Sequence, residues 1–399
     1  MNNNNKTALV PRLRFPEFAI NGAINFETGD VIFEPISNKN HNSDLPVLAI
    51  TQEHGAIPRD QIDYNVSVTD KSLESYKVVE IGDFIISLRS FQGGIEYSLY
   101  HGICSPAYII LRKRVPIVDQ YYKHYFKTGR FIQDLNKDLE GIRDGKMVSY
   151  SQFSAIMLPK PDRKEQQKIA DCLSSIDDLI AAEGKKLEAL RAHKKGLMQK
   201  LFPAEGVTVP EWRFPEFRDC DEWEEKALID ICNMQAGNYV SATEIAKNRA
   251  SDNFPCYGGN GLRGYTKTFT HNGKYPLIGR QGALCGNVTL VEGAFHATEH
   301  AVVCNPSQRV VVEWLYYQLV MMNLNQYATG QAQPGLSVKV LEKLQVKIPS
   351  TTTEQQQIAD CLSSIDDLIT EQAKKIEALR THKKALMQGL FPSIEEVGE

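Results

Sequence analysis

The sequence predicts an α+β protein in which two mixed α/β domains follow one another in tandem and are separated by two long helices. The helices are expected to form an antiparallel coiled coil with pseudo-two-fold symmetry. The main observation is an internal repeat, because residues 165–203 and 354–392 are identical at 30 of 39 positions. A shorter motif, RFPEF, precedes each copy, at 14–18 and 213–217. A duplicated segment indicates tandem structural units, so the two halves of the chain are expected to have the same domain organisation.

Each copy of the repeat has the pattern of a long amphipathic helix. Apolar residues alternate at spacings of four and three, which is the heptad pattern of a coiled coil. The apolar positions are Ile169, Leu173, Ile176, Ile180, Leu187, Leu190, Leu197 and Leu201 in the first copy and Ile358, Leu362, Ile365, Ile369, Ile376, Leu379, Leu386 and Leu390 in the second. The polar residues in the remaining seam positions are Glu183, Lys194, Gln372 and Lys383. A helix of this length spans roughly 55–60 Å.

Both ends of each helix carry recognisable signals. Thr351 and Glu354 have the spacing of a capping box, and Asp162 with Glu165 resembles one. A Phe-Pro pair follows the last leucine of each seam, and proline cannot continue the hydrogen-bond ladder of a helix. We therefore expect each helix to begin close to its glutamate and to end at the Phe-Pro pair.

Charge is distributed unevenly along the repeated segment. Residues 165–183 carry a net charge of −4 and residues 184–203 one of +5, while 354–372 and 373–392 carry −5 and +4. An antiparallel pair places acidic residues beside basic ones, whereas a parallel pair brings like charges together. The sequence therefore predicts antiparallel pairing. The alternative is that each helix packs on its own domain or on another protein.

The stretches between the repeated segments share little sequence with one another. Short β-rich runs alternate with glycine and polar turns in 76–114 and 275–304, which predicts strands joined by loops. Helical periodicity favours helices over 118–139 and 311–327. Each stretch is therefore expected to form a mixed α/β domain.

The composition is that of an ordinary globular protein, with 42% hydrophobic and 24% charged residues. No apolar run approaches the roughly 20 residues that span a bilayer, and the first residues lack the apolar core of a signal peptide. We therefore expect a cytoplasmic protein without a membrane partner. The eight cysteines include no C-x-x-C pair, so buried thiols are expected rather than a disulfide or zinc framework.

The net charge of −4 argues weakly against a polyanionic partner, but the charge is uneven. Residues 256–347 hold eight basic and four acidic residues, which is compatible with nucleic-acid binding. In both variable stretches an apolar strand leads into an arginine beside glycine, as LRSFQG from Leu88 and GRQG from Gly279. Arginine, glutamine and asparagine can read base edges, and glycine lets a backbone approach phosphate. The alternative interpretation is ordinary turns with solvated polar residues.

The common catalytic motifs are absent or out of context. No Walker A sequence occurs, so nucleotide hydrolysis by that route is not expected. The H-x-x-E-H pattern at 296–300 requires a helix to bring its histidines together, whereas its surroundings predict a strand or turn. The Ser, Cys and His residues form no triad spacing, so the sequence predicts no catalytic residue and no metal site.

The chain from residue 11 to residue 392 resembles the specificity (S) subunit of type I restriction–modification systems. The resemblance rests on the two copies of the repeated helix, the paired RFPEF motifs, CYGGNGLRGY at 256–265 and PLIGRQGALCGNV at 276–288. It implies a non-catalytic DNA-binding subunit of a host-defence system, in which each of two target-recognition domains reads one half of a bipartite DNA site. It also implies that the coiled coil fixes the unread spacer and docks methyltransferase (M) subunits.

The resemblance also implies the domain limits. Residues 1–163 and 204–353 correspond to target-recognition domains 1 and 2. Residues 164–203 and 354–392 correspond to the two conserved spacer helices, and residues 393–399 are expected to form a flexible tail.

The partners implied by the resemblance are double-stranded DNA, two M subunits and restriction (R) subunits that act as motor and nuclease. The M subunits use S-adenosylmethionine to methylate adenine N6, and the R subunits need ATP and Mg²⁺, so no cofactor is expected in this chain. The sequence lacks the N/D-P-P-Y/F motif, which disfavours a self-contained methyltransferase. The remaining alternative is a helical adaptor or scaffold without sequence-specific DNA contact.

Two sets of residues are candidates for these contacts. The predicted DNA-binding residues are Arg89, Ser90, Phe91, Gln92, Arg143 and Lys146 in the first domain and Tyr257, Asn260, Arg263, Lys267, Arg280, Gln281, Gln331 and Gln333 in the second. The predicted M-subunit contacts, which a solvated helix face explains equally well, are Lys185, Lys186, Arg191, Lys374, Lys375 and Arg380.

Overall fold

The computed structural model describes residues 10–42, 44–62, 73–137, 148–282, 284–330 and 334–392. The chain forms two compact units. Unit 1 runs as far as Glu183 and resumes at Lys375, and unit 2 is Gly184–Lys374. Each unit therefore contains residues of both repeated segments. The tail predicted over 393–399 lies outside the described residues.

Unit 1 is a mixed α/β domain of short strands. Its strands are β1 (Asn25–Thr28), β2 (Phe33–Ile36), β3 (Leu48–Thr51), β4 (Gly55–Pro58), β5 (Lys77–Val79), β6 (Phe84–Ile86), β7 (Glu96–Tyr97), β8 (Gly102–Cys104), β9 (Ile109–Lys113) and β10 (Met157–Lys160). Its short helices are α1 (Gly29–Ile32), α2 (Ser90–Gly93), α3 (Asp119–Tyr125), α4 (Gly129–Asn136) and α5 (Tyr150–Ala155). An antiparallel sheet has the order β2-β9-β6-β7, and the other strands pair antiparallel as β1–β10, β3–β4 and β5–β8.

The helical structure predicted over 118–139 is observed in the described part of this span as two helices, α3 and α4. The break falls just before Thr128, whose Oγ1 accepts a hydrogen bond from Phe131 N at 3.3 Å. Thr128 has an extended backbone and caps α4, which is a preferred role of threonine and starts a new helix rather than continuing the old one.

The core of unit 1 is aromatic. The rings of Phe33, Phe84, Tyr122 and Phe126 are fully buried, and their centroids lie 5.2–5.8 Å apart. Such tilted and edge-to-face pairs add about 0.5–1.5 kcal/mol each beyond the burial of their area. This cluster packs α3 and the residue after it, Phe126, on strands β2 and β6.

The first repeated segment is one continuous helix, α6 (Arg163–Leu201), which begins in unit 1 and ends in unit 2. Its first turns join the core of unit 1 through Ile169 and Leu173, which are almost fully buried. The helix stops directly before Phe202-Pro203, as the sequence predicts.

Unit 2 is also mixed α/β, with a larger sheet. Its strands are β11 (Glu224–Ala227), β12 (Cys232–Ala236), β13 (Phe254–Gly258), β14 (Gly261–Thr266), β15 (His271–Gly279), β16 (Val288–Ala297), β17 (Ala301–Pro306) and β18 (Gln345–Ile348), and its short helices are α7 (Leu228–Ile231), α8 (Val312–Met321) and α9 (Val338–Leu341). Six strands have the order β12-β17-β15-β16-β13-β14, with β13 and β16 parallel and the other neighbours antiparallel. The helix predicted over 311–327 is observed as α8 followed by a 3₁₀ turn at Leu324–Tyr327.

The second repeated segment is the helix α10 (Thr352–Leu390), which begins in unit 2 and ends in unit 1. Within unit 1, Lys383 Nζ lies 2.5 Å from Asp177 Oδ1, and Lys375 pairs with Glu183. Within unit 2, Lys194 Nζ lies 2.6 Å from Asp366 Oδ1. In unit 1 residue numbers fall from Glu183 to Asp177 as they rise from Lys375 to Lys383, which confirms the predicted antiparallel pairing there.

Of the two hydrogen bonds that define each predicted capping box, the structure contains only the one from the backbone of the glutamate to the side chain of the cap residue. Glu165 N donates to Asp162 Oδ1 at 2.9 Å, and Glu354 N donates to Thr351 Oγ1 at 3.3 Å. The glutamate side chains do not return to the cap, because they bind an arginine of the RFPEF motif instead.

Each unit joins its RFPEF motif to the first turn of a long helix by a buried ion pair. Arg14 contacts Glu165 through two hydrogen bonds of 2.8 Å, and Arg213 contacts Glu354 through bonds of 2.7 and 2.8 Å. Both carboxylates are about 1% exposed. The hydrogen bonds to the carboxylate raise the pKa of each arginine, which keeps the guanidinium charged in the interior. The two repeated sequence features are therefore parts of one contact.

The residue ahead of each motif packs on the last turn of a long helix. Leu13 N donates to Gly389 O at 2.8 Å in unit 1, and Trp212 N donates to Lys200 O at 2.9 Å in unit 2. A Cβ at Gly389 would clash with the Leu13 side chain. This close contact explains why the second repeat has glycine where the first has Lys200.

Candidate nucleic-acid interface

In unit 2 the two glycine-rich motifs form one junction. A Cβ at Gly279, the last residue of β15, would overlap the carbonyl of Gly259 in the turn between β13 and β14. A Cβ at Gly259 would lie 3.0 Å from Gln281 O and 3.3 Å from His300 O. Only glycine permits this approach, so the YGGNG and IGRQG motifs bring the two loops together with the turn after β16.

Several predicted DNA-binding residues of unit 2 surround this junction. Asn260 is exposed at the β13–β14 turn, and Arg263 is exposed on β14. Gln281 is exposed on the loop after β15, where it forms a β-bridge with Gly335. These side chains are free to reach a ligand.

Two further candidates of unit 2 lie further from the junction or are partly buried. Lys267 is exposed just beyond the end of β14. Tyr257 is half-buried, and its ring packs edge-to-face on Phe295 at 5.9 Å, so it supports the sheet as well as bordering the turn.

Arg280 lies in the junction next to two residues that sequence reasoning missed, Glu299 and His300. Arg280 N donates to His300 O at 3.0 Å, and His300 Nε2 lies 3.2 Å from Glu299 Oε1. Three side-chain atoms here are buried and have no hydrogen-bond partner among the described residues: Arg280 Nε, Glu299 Oε2 and His300 Nδ1. Buried polar groups are usually paired, so three unpaired atoms in one place indicate a site that gains partners from a ligand or from ordered water.

These two residues belong to the H-x-x-E-H pattern at 296–300, which as a sequence motif indicates only zinc binding. His296, its first residue, is buried at the end of β16, with Nδ1 3.2 Å from Thr268 Oγ1 and Nε2 3.2 Å from Asn238 O. Both ring nitrogens are therefore occupied within the fold. Within the described ranges no group of three or more His, Cys, Asp or Glu side chains could hold a metal ion.

In unit 1 the predicted loop forms the helix α2, which follows β6. Arg89 and Gln92 are exposed, and the Arg89 carbonyl accepts a hydrogen bond from Gln52 Nε2 at 3.1 Å. Ser90 is buried and its Oγ accepts a hydrogen bond from Ser87 N at 2.8 Å, while Phe91 packs against the core. Arg89 and Gln92 are thus placed to contact a ligand, whereas Ser90 and Phe91 hold the turn that presents them.

Four predicted DNA-binding residues, Arg143, Lys146, Gln331 and Gln333, lie outside the described residues.

The predicted M-subunit contacts are all exposed on the long helices. Arg191 pairs with Glu188 at 2.8 Å and Lys374 with Glu371 at 2.9 Å, both within one turn of the same helix. Such exposed pairs contribute little to stability, so Arg191 and Lys374 remain available to a partner, whereas Lys375 pairs with Glu183 of the other long helix. Among the described helices, none has both the length and the apolar character needed to cross a membrane.

The comparison with protein families agrees with the division of the chain into two similar units. A family model described as "Type I restriction modification DNA specificity domain" matches residues 16–192 and 220–380. The matched segments cover most of the chain, one in each half. The chain therefore belongs to this family of type I specificity proteins.

Two curated relatives are described as specificity subunits of type I restriction enzymes. The type I restriction enzyme EcoprrI specificity subunit of Escherichia coli is 46% identical over 148 residues, which are 37% of this chain and 37% of that protein. The type I restriction enzyme MjaVIII specificity subunit of Methanocaldococcus jannaschii is 26% identical over 358 residues, which are 82% of this chain and 81% of that protein. The first relative is thus matched over little more than a third of its length.

Two solved structures share the fold. The crystal structure of the type I restriction–modification system S subunit from M. genitalium covers 97% of this chain and 100% of its own, with a TM-score of 0.62 and 17% identity. A structure described for complex assembly and conformational transition of the type I R-M system covers 92% and 97%, with a TM-score of 0.56 and 15% identity. The predicted class, α+β with two tandem mixed domains and long paired helices, is confirmed.

Proposed function

We propose that this chain reads a bipartite DNA site, with unit 1 recognising one half and unit 2 the other. The main support for the proposal is a contrast between the helical frame, which is shared by the two units, and the sheets and loops, which are not. The long helices and the Arg–Glu pairs are the same in both units, while the sheets and the loops they present differ. A shared frame that holds two different polar loop surfaces suits a protein that must recognise two different sequences.

The loops of unit 2 have the chemistry of base recognition. Arg280 can donate two hydrogen bonds to guanine O6 and N7, and Asn260 or Gln281 can bind adenine N6 and N7. Glu299 is an acceptor of the kind that binds the amino group of cytosine. Arg263, exposed on β14 near these residues, and Lys267, exposed just beyond the end of β14, suit phosphate contacts. In unit 1, Arg89 and Gln92 take the corresponding roles.

We further propose that the two long helices fix the number of unread base pairs and dock two M subunits through their exposed cations. Residues 1–163 and 204–353 then act as the target-recognition domains, and 164–203 and 354–392 as the spacer helices. The chain itself performs no chemistry in this account. Adenine methylation with S-adenosylmethionine belongs to the M subunits, and ATP- and Mg²⁺-dependent cleavage belongs to the R subunits, in the cytoplasm where they meet DNA.

The test is an exchange of one recognition domain. A chimera that carries a different domain in place of residues 204–353 is expressed with its M subunit, and the methylated motif is determined by sequencing. We expect one half of the motif to change while the other half and the spacer stay the same. Methylation that is independent of sequence, or DNA binding without sequence preference, would favour the adaptor interpretation instead.

A further inference from the structure

Tyr239, on the loop after β12, is an aromatic residue to which the proposed function assigns no role. It is 76% exposed, which makes it the most exposed aromatic residue in the part of the chain that the structure describes. Single apolar side chains at a protein surface are common and by themselves indicate no function. Tyr239 differs from such side chains because the backbone on both sides of it is fixed.

The two residues before Tyr239 are hydrogen-bonded to the strands on either side of the turn that joins β16 to β17. Gly237 N donates to Ala301 O at 3.0 Å, and Asn238 N donates to Ala297 O at 2.9 Å. The first acceptor lies at the start of β17 and the second at the end of β16. The loop that bears Tyr239 therefore lies across this turn.

The contact between the loop and the turn is close enough to require glycine. A Cβ at Gly237 would lie 2.2 Å from Ala297 O and 2.6 Å from Thr298 O. Glu299 and His300 follow in the same turn and hold two of the three unpaired buried atoms of the junction. The glycine thus places the loop directly beside residues that are proposed to meet DNA.

Both neighbours of Tyr239 in the sequence are held in place. Asn238 O lies 3.2 Å from His296 Nε2, and Val240 is only 7% exposed. A side chain on a fixed backbone loses little conformational freedom when it contacts a ligand, and tyrosine has only two side-chain torsions to fix. The loop therefore presents an exposed ring that is already prepared for contact.

His296, the first residue of the H-x-x-E-H pattern, connects the same loop to a second part of the proposed interface. Its Nδ1 lies 3.2 Å from Thr268 Oγ1, and Thr268 follows Lys267, which suits a phosphate contact. Tyr239 is thus linked through one histidine to a segment that meets the DNA backbone, and directly to the turn that bears Glu299. It belongs to one continuous surface with these residues.

We propose that the ring of Tyr239 packs on the C5 methyl group of a thymine in the half-site that unit 2 reads. This inference rests on the proposed function, because it requires DNA in contact with the junction around Arg280 and Glu299. The methyl group is the apolar group that an A·T pair presents in the major groove, and an apolar surface is what recognises it. Tyr239 then adds the reading of an A·T pair to a set of polar contacts.

Stacking on an extruded base is the other way in which an exposed tyrosine can contact DNA. Proteins that extrude a base must compensate for the lost pairing and stacking, and they do so by enclosing the base in a pocket. The ring of Tyr239 is too exposed to line such a pocket. Contact with a base edge in the intact duplex is therefore favoured, and it is also the contact proposed for the neighbouring Arg280 and Glu299.

The experiment measures, by fluorescence anisotropy, how the complex of this chain with its M subunit binds duplexes that contain its methylated motif. Exchange of residues 204–353 identifies the half-site of unit 2, and each thymine of that half-site, on either strand, is replaced in turn by deoxyuridine, which lacks only the methyl group. We expect one replacement to weaken binding by the parent chain about fourfold, the factor for burial of one methyl group. In Tyr239→Ala the same replacement should change binding less than about 1.5-fold, because the apolar partner of the methyl group is gone.

Two further variants serve as controls. Tyr239→Phe keeps the ring without its hydroxyl group and should retain the effect of the methyl group. Ile229→Ala removes an apolar side chain that is 56% exposed on α7, where the Ile229 amide binds Glu342 O, and should behave as the parent chain does. All three substitutions change exposed side chains, so the variants should fold, and the tryptophan fluorescence of unit 2 verifies this.

The proposal is overturned if the half-site of unit 2 contains no A·T pair, or if no replacement weakens binding by the parent chain. It is also overturned if the parent and Tyr239→Ala lose affinity equally, which is the result expected for stacking on a base. Loss of the methyl effect in Tyr239→Phe would assign the contact to the hydroxyl group and contradict the proposal. A parent complex that binds its motif no better than an unrelated duplex would instead refute the proposed function itself.

Discussion

Arg14 holds Glu165 by two hydrogen bonds of 2.8 Å each, and this pair joins the RFPEF motif to the first turn of a helix that begins about 150 residues later. Arg213 and Glu354 repeat the contact in unit 2. The contact ties the start of each recognition domain to the helix that follows it. A domain can therefore change its interior and its loops while its attachment to the frame stays the same.

Breaking one pair should destabilise one unit. Arg213→Met leaves the buried Glu354 carboxylate without its cation, which costs about 3–5 kcal/mol for a buried pair. Unit 2 contains all three tryptophans of the chain, so denaturant unfolding followed by tryptophan fluorescence reports on this unit. The matched variant Arg14→Met should leave the tryptophan transition in place. A loss below about 1 kcal/mol in Arg213→Met would contradict a structural role for the pair.

The antiparallel register can be tested by exchanging charges. Lys383→Asp places a carboxylate beside Asp177 and should lower the stability of unit 1 by roughly 1 kcal/mol, because the pair is partly exposed. The double variant Asp177→Lys/Lys383→Asp restores an ion pair at the same place and should recover most of the loss. A double-mutant cycle from urea unfolding measures the coupling. Additive losses in the double variant would mean that the two side chains do not face each other.

His124 should make unit 1 sensitive to acid. Burial, together with the nearby Lys383 and Lys123 and against the opposing effect of Asp177, lowers the pKa of His124 to about 4. The unfolded chain takes up the proton first as the pH falls, so stability is full above about pH 6.5 and is lost progressively towards pH 4. The expected loss from pH 7 to pH 5 is about 1–2 kcal/mol, since one pKa unit corresponds to about 1.4 kcal/mol.

The second unit supplies the control for this prediction. Tyr317 occupies the position of His124 and donates a hydrogen bond to Asp366 at 2.8 Å. His124→Tyr should therefore fold and should show a weaker dependence of its unfolding free energy on pH between 6.5 and 4 than the parent chain. Identical pH profiles for the two proteins, measured by urea unfolding, would rule out His124 as the titrating group.

Substitutions of Arg280 and Glu299 should alter the recognition of one half of the DNA site. Arg280→Ala removes the proposed contact to guanine and should cost about 1–3 kcal/mol at one base pair, so recognition of that half-site weakens or relaxes. Glu299→Gln keeps the shape of the side chain but removes its charge, and should relax the same half-site. Binding of the complex with M subunits to duplexes altered in either half measures the effect. An equal loss at both halves would contradict separate recognition by the two units.

The frame of this protein could be predicted from the sequence because its signals are local and repeated. The heptad spacing from Ile169 to Leu201 and the Phe-Pro pair after it determine a helix and its end. The opposite charges of its two halves predict antiparallel pairing of the two helices, because electrostatic complementarity acts between whole helix faces.

The polar contacts that depend on the tertiary fold could not be predicted in the same way. Glu354 satisfies the spacing of a capping box, yet its carboxylate binds Arg213, because a buried charge gains more from a guanidinium than from a backbone amide. The sequence did not identify Glu299 and His300 as interface residues, because only the fold brings the turn after β16 against Arg280. Their one sequence signal was a histidine-glutamate pattern that also fits a different chemistry.

The central claim is that one chain carries two different DNA-reading units on a shared helical frame. The most direct measurement is methylome sequencing of a host that expresses this chain with its M subunit. We expect adenine methylation at a single bipartite motif, with two specified halves separated by a spacer of fixed length and unspecified sequence. Methylation at one continuous motif, or methylation without sequence preference while the M subunit is active, would contradict the account.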